Sequence, residues 1–463
     1  MKYNLTEEQQ AVVDYMLHND GMVLVDANAG SGKSFLAKHL TQELPVVTGI
    51  YTAFNKAIVE EMADKFRSTQ IECKTLHSLA YRYVSPRLPI KEFNYKDITE
   101  TLAYSNKRKV IDAINSFFVS SSVCMYDYFS NYFKETTNVT QLTELSIKYV
   151  QLMAEEKVSP TFNFLLKSLH LMLVEKTVVI EVDIMITDEL QDSMAVSLEI
   201  FREIKAKKKV GLGNKAQAIY AFLNLSDGFE VFKDTSKFLK LTRSFRCSKD
   251  VATMVERKMR RVLDKDFKFT GTDTPCMNGK TLYVTLTNSF IVDEIQSRLE
   301  KGKSFTLLRK PSDIFEVPLA VSSASQGKVP YQARFAYLAD LYKDFTRQSR
   351  IKTYQSYLLS ELDDDEVNSA IRLLSKLRTK GINLFTLYAE AKKVKADPEY
   401  TISSTHTVKG LEFETVYVAD DLNTKMSQAC AGELEDEDAE TVKKIYYVAC
   451  TRCGPNLYNA TEL

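Results

Sequence analysis

Val23-Leu24-Val25-Asp26-Ala27-Asn28-Ala29-Gly30-Ser31-Gly32-Lys33-Ser34 is the stretch on which the fold turns. The apolar run Val23 to Val25 precedes it, and Phe35, Leu36, Leu40 and Leu44 follow at helical spacing, so the chain reads strand, loop, helix. Small residues there let successive backbone N–H groups face an anion, the helix start favours negative charge, and one ammonium and one hydroxyl complete a phosphate cradle. Gly30, Gly32, Lys33 and Ser34 supply those parts, with Ala27 where the strict pattern has Gly. A plain strand-to-helix connection carries similar small residues, and the motifs further along decide between the two.

Upstream, Leu5-Thr6-Glu7-Glu8-Gln9-Gln10 runs into Val12, Val13, Met16 and Leu17, a Thr-capped amphipathic helix with an acidic first turn. Downstream, Pro45 to Ala53 reads as a buried strand of a parallel sheet ending at Phe54-Asn55-Lys56, followed by a helix over 57–66 and the short segment Cys73 to Ser78. From Pro86 to Lys176 the text is rich in Tyr, Phe, Asn and Ser, free of Gly and helical in period, which reads as a helical insertion. The sheet resumes at Val182 to Thr187, with further strands at Lys209 to Asn214 and Leu239 to Leu241.

A second α/β unit follows, with strands at Thr281 to Leu286 and Ser304 to Leu308, and Ala333 to Lys395 is again helical. Strands return at Ile402 to Thr405 and Val416 to Val418, before a closing helix over Thr441 to Tyr447; the acidic run Glu433 to Asp438 reads as a solvated loop. The expected organisation is a first α/β domain at 1–85 and 177–235 with insertion 86–176, and a second at 236–332 and 400–463 with the short insertion 333–399.

Lys plus Arg and Asp plus Glu both total 61, so no global field draws a polyanion and any nucleic acid contact must come from local patches. The seven Cys are scattered without framework spacing, which predicts reduced thiols in a cytosolic compartment. Cys450 and Cys453 form a C-x-x-C with no second pair and no His nearby, which argues against zinc. The first residues carry no apolar signal core, and Leu169 to Ile186 is broken by Glu175, Lys176, Glu181 and Asp183, so neither export nor a membrane span is expected.

Asp188-Glu189, at the end of an apolar strand, is what a phosphate-loop enzyme needs opposite its loop: one carboxylate for a Mg²⁺ shell and a neighbour to take a proton from the attacking water. Such pairs also arise as helix caps. Here the string continues as Leu190-Gln191-Asp192, and with the Ala27 variant of the loop it resembles superfamily 1 helicases of the UvrD/Rep type, small phage and F-box-type members most closely. The likeness runs in order from Leu5 to Arg452, with insertions where that family places its 1B and 2B subdomains.

The resemblance implies two RecA-like parallel-sheet domains, each with a mainly helical insertion, and it implies roles. Gln9 reads adenine; Ala27, Gly30, Ser31, Gly32, Lys33 and Ser34 hold the phosphates, with Ser34 and Asp188 on the metal; Glu189 is the base. Gln217, in Gly213 to Phe222, senses the γ-phosphate, with Asn214 where the family usually has Asp. Arg246 and Arg452 are guanidinium donors to the transferring phosphoryl, Phe245 stacks on adenine, and Glu412, in Thr405 to Phe413, stands near ribose and phosphates. Phe35 stands where the family commonly has Arg.

Phe54, Asn55, Lys56, Thr75, His77, Tyr220, Phe222, Thr405 and His406 match positions that hold single-stranded DNA. Phe222 replaces a frequent Trp, and base stacking is worth about 1–3 kcal/mol per aromatic, so the contact is weakened and not abolished. The implied activity is that of a monomeric, cytoplasmic ATP- and Mg²⁺-dependent DNA helicase. It travels 3′ to 5′ on single strands and acts at single/double-strand junctions in DNA replication, repair or recombination, with replication or recombination proteins as candidate partners. A translocase that displaces bound proteins with little unwinding, and a non-catalytic nucleic-acid-binding module, are the alternatives.

Overall fold

An apolar run without alternation, such as Val23 to Val25, is the signature of a strand covered on both faces. The computed structural model describes residues 4–461 except 47, 54, 55, 68, 221–224, 348–352 and 363, with the backbone alone at 57, 104, 333 and 365. The chain divides into two units, Met1–Thr242 and Arg243–Leu463. In unit 1, β1 (Gly21–Ala27), β2 (Gly49–Thr52), β3 (Ile71–Lys74), β4 (Glu181–Thr187), β5 (Lys205–Gly213) and β6 (Lys237–Leu241) pair in parallel in the order β3-β2-β4-β5-β1-β6. Successive side chains of a strand point to opposite faces. Val23 and Val25 accordingly join one core with Leu36 and Leu40 of the helix Lys33–Glu43, whereas Leu24 joins the other.

That other core is continuous with the first helical segment, Tyr104–Val119, Met125–Tyr132, Val139–Ala154 and Phe162–Val174. Phe117 meets Phe129 with ring centres 5.2 Å apart, and these rings share one apolar cluster with Leu24, Ile50 and Met185 of the sheet. Lys167 is 1 % exposed within it, its ammonium donating to Ser120 O (2.6 Å) and Ser122 O (2.8 Å).

In unit 2, β9 (Thr281–Thr285), β10 (Thr306–Leu307), β11 (Tyr400–Ser404), β12 (Phe413–Val418) and β13 (Cys453–Tyr458) form a parallel sheet in the order β10-β11-β9-β12-β13. β7 (Arg243–Ser248) and β8 (Thr270–Thr272) make a separate parallel pair. The helices Ala336–Thr346, Tyr354–Glu361, Asp365–Thr379 and Leu384–Ala391 fill the second helical segment. The class is α/β with parallel sheets and many helices, consistent with RecA-like domains.

Three details depart from the sequence reading. Leu239 to Leu241 belongs to β6, which pairs with β1, so the first unit runs past 236 to Thr242. Ile71–Lys74 is a half-buried edge strand with no pattern to announce it. The acidic residues Asp436, Glu437 and Asp438 form the first turn of the helix Asp436–Cys450, where the helix dipole favours negative charge. Among the described residues no helix is long and apolar enough to cross a membrane.

His170, on the helix Phe162–Val174, is 1 % exposed, and its Nδ1 has no hydrogen-bond partner among the described residues. Burial, then the Lys167 charge, lowers its pKa to about 4. The neutral ring is the folded form, so as pH falls below about 6.5 the unfolded chain takes the proton first and stability is lost down to about pH 4. The melting temperature should therefore drop between pH 7 and pH 5, and His170→Leu should flatten that drop in parallel thermal melts.

Candidate active site

At the end of β1, Ala27 is buried, the Asn28 N–H donates to Leu241 O at 2.9 Å, and the Ser31 N–H donates to Asn28 O at 3.1 Å. Gly30 (φ 72°) and Gly32 (φ 82°) take left-handed conformations that cost other residues energy, and the helix Lys33–Glu43 starts directly after Gly32 with no side-chain cap. Ser31 is 2 % exposed and its Oγ has no hydrogen-bond partner among the described residues. Uncapped N–H groups and an orphaned hydroxyl at one turn fit a phosphate. Gln9 is 1 % exposed and braces this turn from behind: its Nε2 donates to Ser31 O (3.0 Å) and its Oε1 accepts from the Thr6 N–H (3.1 Å). Its amide, expected to read adenine, is engaged on both sides within the protein.

β4 delivers the carboxylates. The Lys33 ammonium lies 2.7 Å from Glu189 Oε1 and 3.5 Å from Asp188 Oδ1. Burial works against its charge, but Glu189 and Asp188 outweigh burial and hold the ammonium above its usual range. Asp188 Oδ2 accepts from the Tyr51 hydroxyl (2.8 Å), and Oδ1 accepts from the Glu189 N–H (2.9 Å). Tyr51, which carries no role in the sequence reading, thus fixes the carboxylate expected on the metal. Glu189 itself sits at φ 55°, ψ 41°, a left-handed conformation for a residue with a side chain. Strain of that kind persists only where surroundings over-determine it, and it gathers at active sites.

β5 leads to a third group. Gln217 is 5 % exposed on the turn Lys215–Gln217, whose Lys215 N–H donates to Asp26 Oδ1 (3.0 Å). Tyr220 follows, its hydroxyl pushed up to about 12 by burial and then by the charges of Asp192 and Glu189. The expected strand contacts of unit 1 lie close by. Thr75 caps the helix Leu76–Val84, accepting from the Ser78 N–H (3.1 Å). His77 Nε2 is 3.2 Å from Asn163 Oδ1, and its ring meets the Phe162 ring edge-on at 6.0 Å. Burial lowers the His77 pKa, the Asn163 bond partly offsetting it. A cavity of about 150 Å³ is lined by Leu76 and His77 together with Asp188, Glu189 and Asp192, so the catalytic candidates and His77 share one space. Lys56 is exposed and 3.5 Å from Glu60; Phe54, Asn55 and Phe222 lie outside the described residues.

In unit 2 the segments that carry Arg246, Glu412 and Arg452 converge. Arg246 Nε donates to Glu412 Oε2 (3.3 Å) and its Nη1 to Thr451 O (3.1 Å), while Arg452 Nη1 donates to Leu411 O (3.4 Å). Arg452 is 1 % exposed and its Nε bonds Val448 O at 3.1 Å, so its guanidinium is turned into the unit. Phe245 is 42 % exposed, with the Arg243 guanidinium 5.3 Å from its ring centre. Thr405, expected to face the strand, is fully buried and spends its hydroxyl on Thr285 O (3.1 Å), a tie between β11 and β9; His406 beside it is half-buried.

Residues 89–461 match the UvrD-like helicase C-terminal domain. Over 517 aligned residues the chain is 22 % identical to F-box DNA helicase 1 of Gallus gallus, covering 99 % of this chain and 49 % of that protein. Over 284 aligned residues it is 25 % identical to F-box DNA helicase protein 1 of Schizosaccharomyces pombe, covering 54 % of this chain and 32 % of that protein. The chain thus spans about half the length of the first relative and a third of the second.

Removing the ammonium leaves two neighbouring carboxylates facing each other. Lys33→Met should destabilise unit 1 by roughly 1.5–3 kcal/mol, the range for a lost hydrogen bond to a charged group. Urea denaturation of both proteins without nucleotide measures the difference.

Proposed function

This chain belongs to the UvrD-like helicase family, and from that membership we propose that it is an ATP-dependent DNA helicase that moves on single-stranded DNA and couples hydrolysis to unwinding. The observation that carries this reading is the Lys33 ammonium held against Asp188 and Glu189 beside a turn of open N–H groups. A triphosphate offers Lys33 a stronger partner than either carboxylate, so nucleotide binding draws the ammonium away and frees Glu189 Oε1 to accept a proton from the attacking water. The Ser34 hydroxyl and the Asp188 carboxylate would hold Mg²⁺, which when bound neutralises charge on the phosphate oxygens. Gln217 reports the terminal phosphate, Arg246 supplies guanidinium charge to the phosphoryl, and Phe245 offers its open face to the base; Arg452 joins Arg246 only on leaving the carbonyls of Val448 and Leu411.

Tyr220, His77 and His406 carry the strand, with Phe54, Asn55, Lys56 and Phe222 completing the surface in this proposal. Travel from 3′ to 5′ and work beside replication or recombination proteins follow the family resemblance, and action as a monomer in the cytoplasm completes the proposal. The shortness of the helical segment 333–399 favours a second reading, a translocase that clears proteins and unwinds little. Strand displacement from 3′- and 5′-tailed duplexes, run beside displacement of a bound protein, separates the two.

Glu189→Gln keeps the shape of the pocket and removes the base. Phosphate release with oligothymidine should fall by about 10²–10⁴-fold, the usual contribution of a positioned general base, while a fluorescent ATP analogue binds as before. Turnover near the wild-type rate would remove Glu189 from the role.

A further inference from the structure

Gln191 stands in the string Asp188 to Asp192 with no role of its own assigned, yet three hydrogen bonds engage its amide beside the proposed base. Nε2 donates to Glu189 Oε2 at 2.6 Å and to Asp192 Oδ2 at 3.0 Å, and Oε1 accepts from the Asn214 N–H at 2.9 Å. Two carboxylates demand a donor and a backbone N–H demands an acceptor, so these partners admit one orientation of the amide. The residue is 2 % exposed. β5 makes room for it: a Cβ on Gly213 would stand 2.3 Å from Gln191 Oε1.

Asn214 opens the turn beyond. Its side-chain oxygen accepts from the Ala216 N–H and its backbone oxygen from the Gln217 N–H, both at 2.9 Å, and Tyr220 lies three residues further on. One amide therefore joins the carboxylate of Glu189 to the segment that carries the proposed phosphate sensor and a proposed strand contact. We propose that Gln191 is a positioning residue that fixes the Glu189 carboxylate and ties it to the 214–220 segment, so that a strand bound there raises turnover through it.

The proposal rests on the reading of Glu189 as base and of Tyr220 as strand contact, and its physical content is specific. When nucleotide draws Lys33 away from Oε1, the amide still holds Oε2. A neutral donor orients the carboxylate without cancelling its charge.

The test compares the full wild-type chain with Gln191→Leu, which removes all three bonds, and Gln191→Glu, which keeps the size and sets a carboxylate against Glu189 and Asp192. Phosphate release is measured with and without oligothymidine, together with ATP KM, oligothymidine binding by fluorescence anisotropy, and thermal melts. Oligothymidine-stimulated kcat should fall roughly 10²-fold in both variants, the cost of misplacing a reacting group by about 1 Å. ATP KM and oligothymidine affinity should stay within about threefold, the pattern of an interaction made only in the transition state. Should Gln191→Leu fail to fold, Gln191→Glu decides. Stimulated kcat within about threefold of wild type, or losses matched by equal losses in strand affinity and melting temperature, overturns the proposal. A wild type that releases no phosphate with or without oligothymidine overturns the functional reading as well, so the two failures are distinguishable.

Discussion

The ion cluster of Lys33 with Asp188 and Glu189 organises unit 1. Its members come from loops after β1 and β4, which are not neighbours: β5 lies between them. Two inter-strand spacings of about 4.8 Å place those loops about 10 Å apart, and a lysine stem crosses most of that gap. The 2.7 Å contact to Glu189 therefore works as a strut across the top of β5. Each partner is only partly covered, at 16 % exposure for Lys33 and 20 % for Glu189, so solvent moderates the pairing and an incoming anion can compete for the ammonium. A fully buried pair would hold the fold and resist exchange.

The strut constrains the strand beneath it. A Cβ on Gly211 would come within 2.6 Å of Leu190 Cδ2 and 2.8 Å of Leu24 Cδ2, and one on Gly213 within 2.3 Å of Gln191 Oε1. β5 is short of side chains where the turns from its two neighbours close over it. That is why a strand that begins with Lys205, Lys207, Lys208 and Lys209 ends in alternating glycines. Its first residues meet solvent, Lys208 excepted, and its last ones lie under the site.

Much of this was legible in the sequence because it is local. The glycine turn, the apolar runs and the position of Asp188-Glu189 at a strand end depend on residues within a dozen positions of one another. What was not legible depends on distance along the chain. β6 reads like any other short apolar segment, and only its pairing with β1 assigns it to unit 1. β3 and β8, of four and three residues, are too short for a period to show. The bonds of Gln9 to Ser31 and of Tyr51 to Asp188 span 22 and 137 residues, and no motif spacing announces them. Arg452 shows the converse: the family resemblance singles it out, while its burial among the carbonyls of Val448 and Leu411 is a property of packing alone.

The polar groups around Glu189 divide by charge in a way that suits the role proposed for it. Its Oε1 faces the Lys33 cation, for which an incoming anion can compete; its Oε2 faces a neutral amide, which has no net charge to attract one. A second cation in place of Gln191 would stabilise the ionised carboxylate further and blunt its pull on a proton, since opposite charge nearby favours the charged form. A hydrocarbon there would leave Oε2, Asp192 Oδ2 and the Asn214 N–H to lose a partner together, at about 1–3 kcal/mol for each group left unsatisfied. An amide avoids both, because it carries donor and acceptor on one rigid plane and no net charge. The left-handed backbone at Glu189 then reads as the cost of turning that carboxylate between strut and amide, held in place by bonds that approach it from two sides.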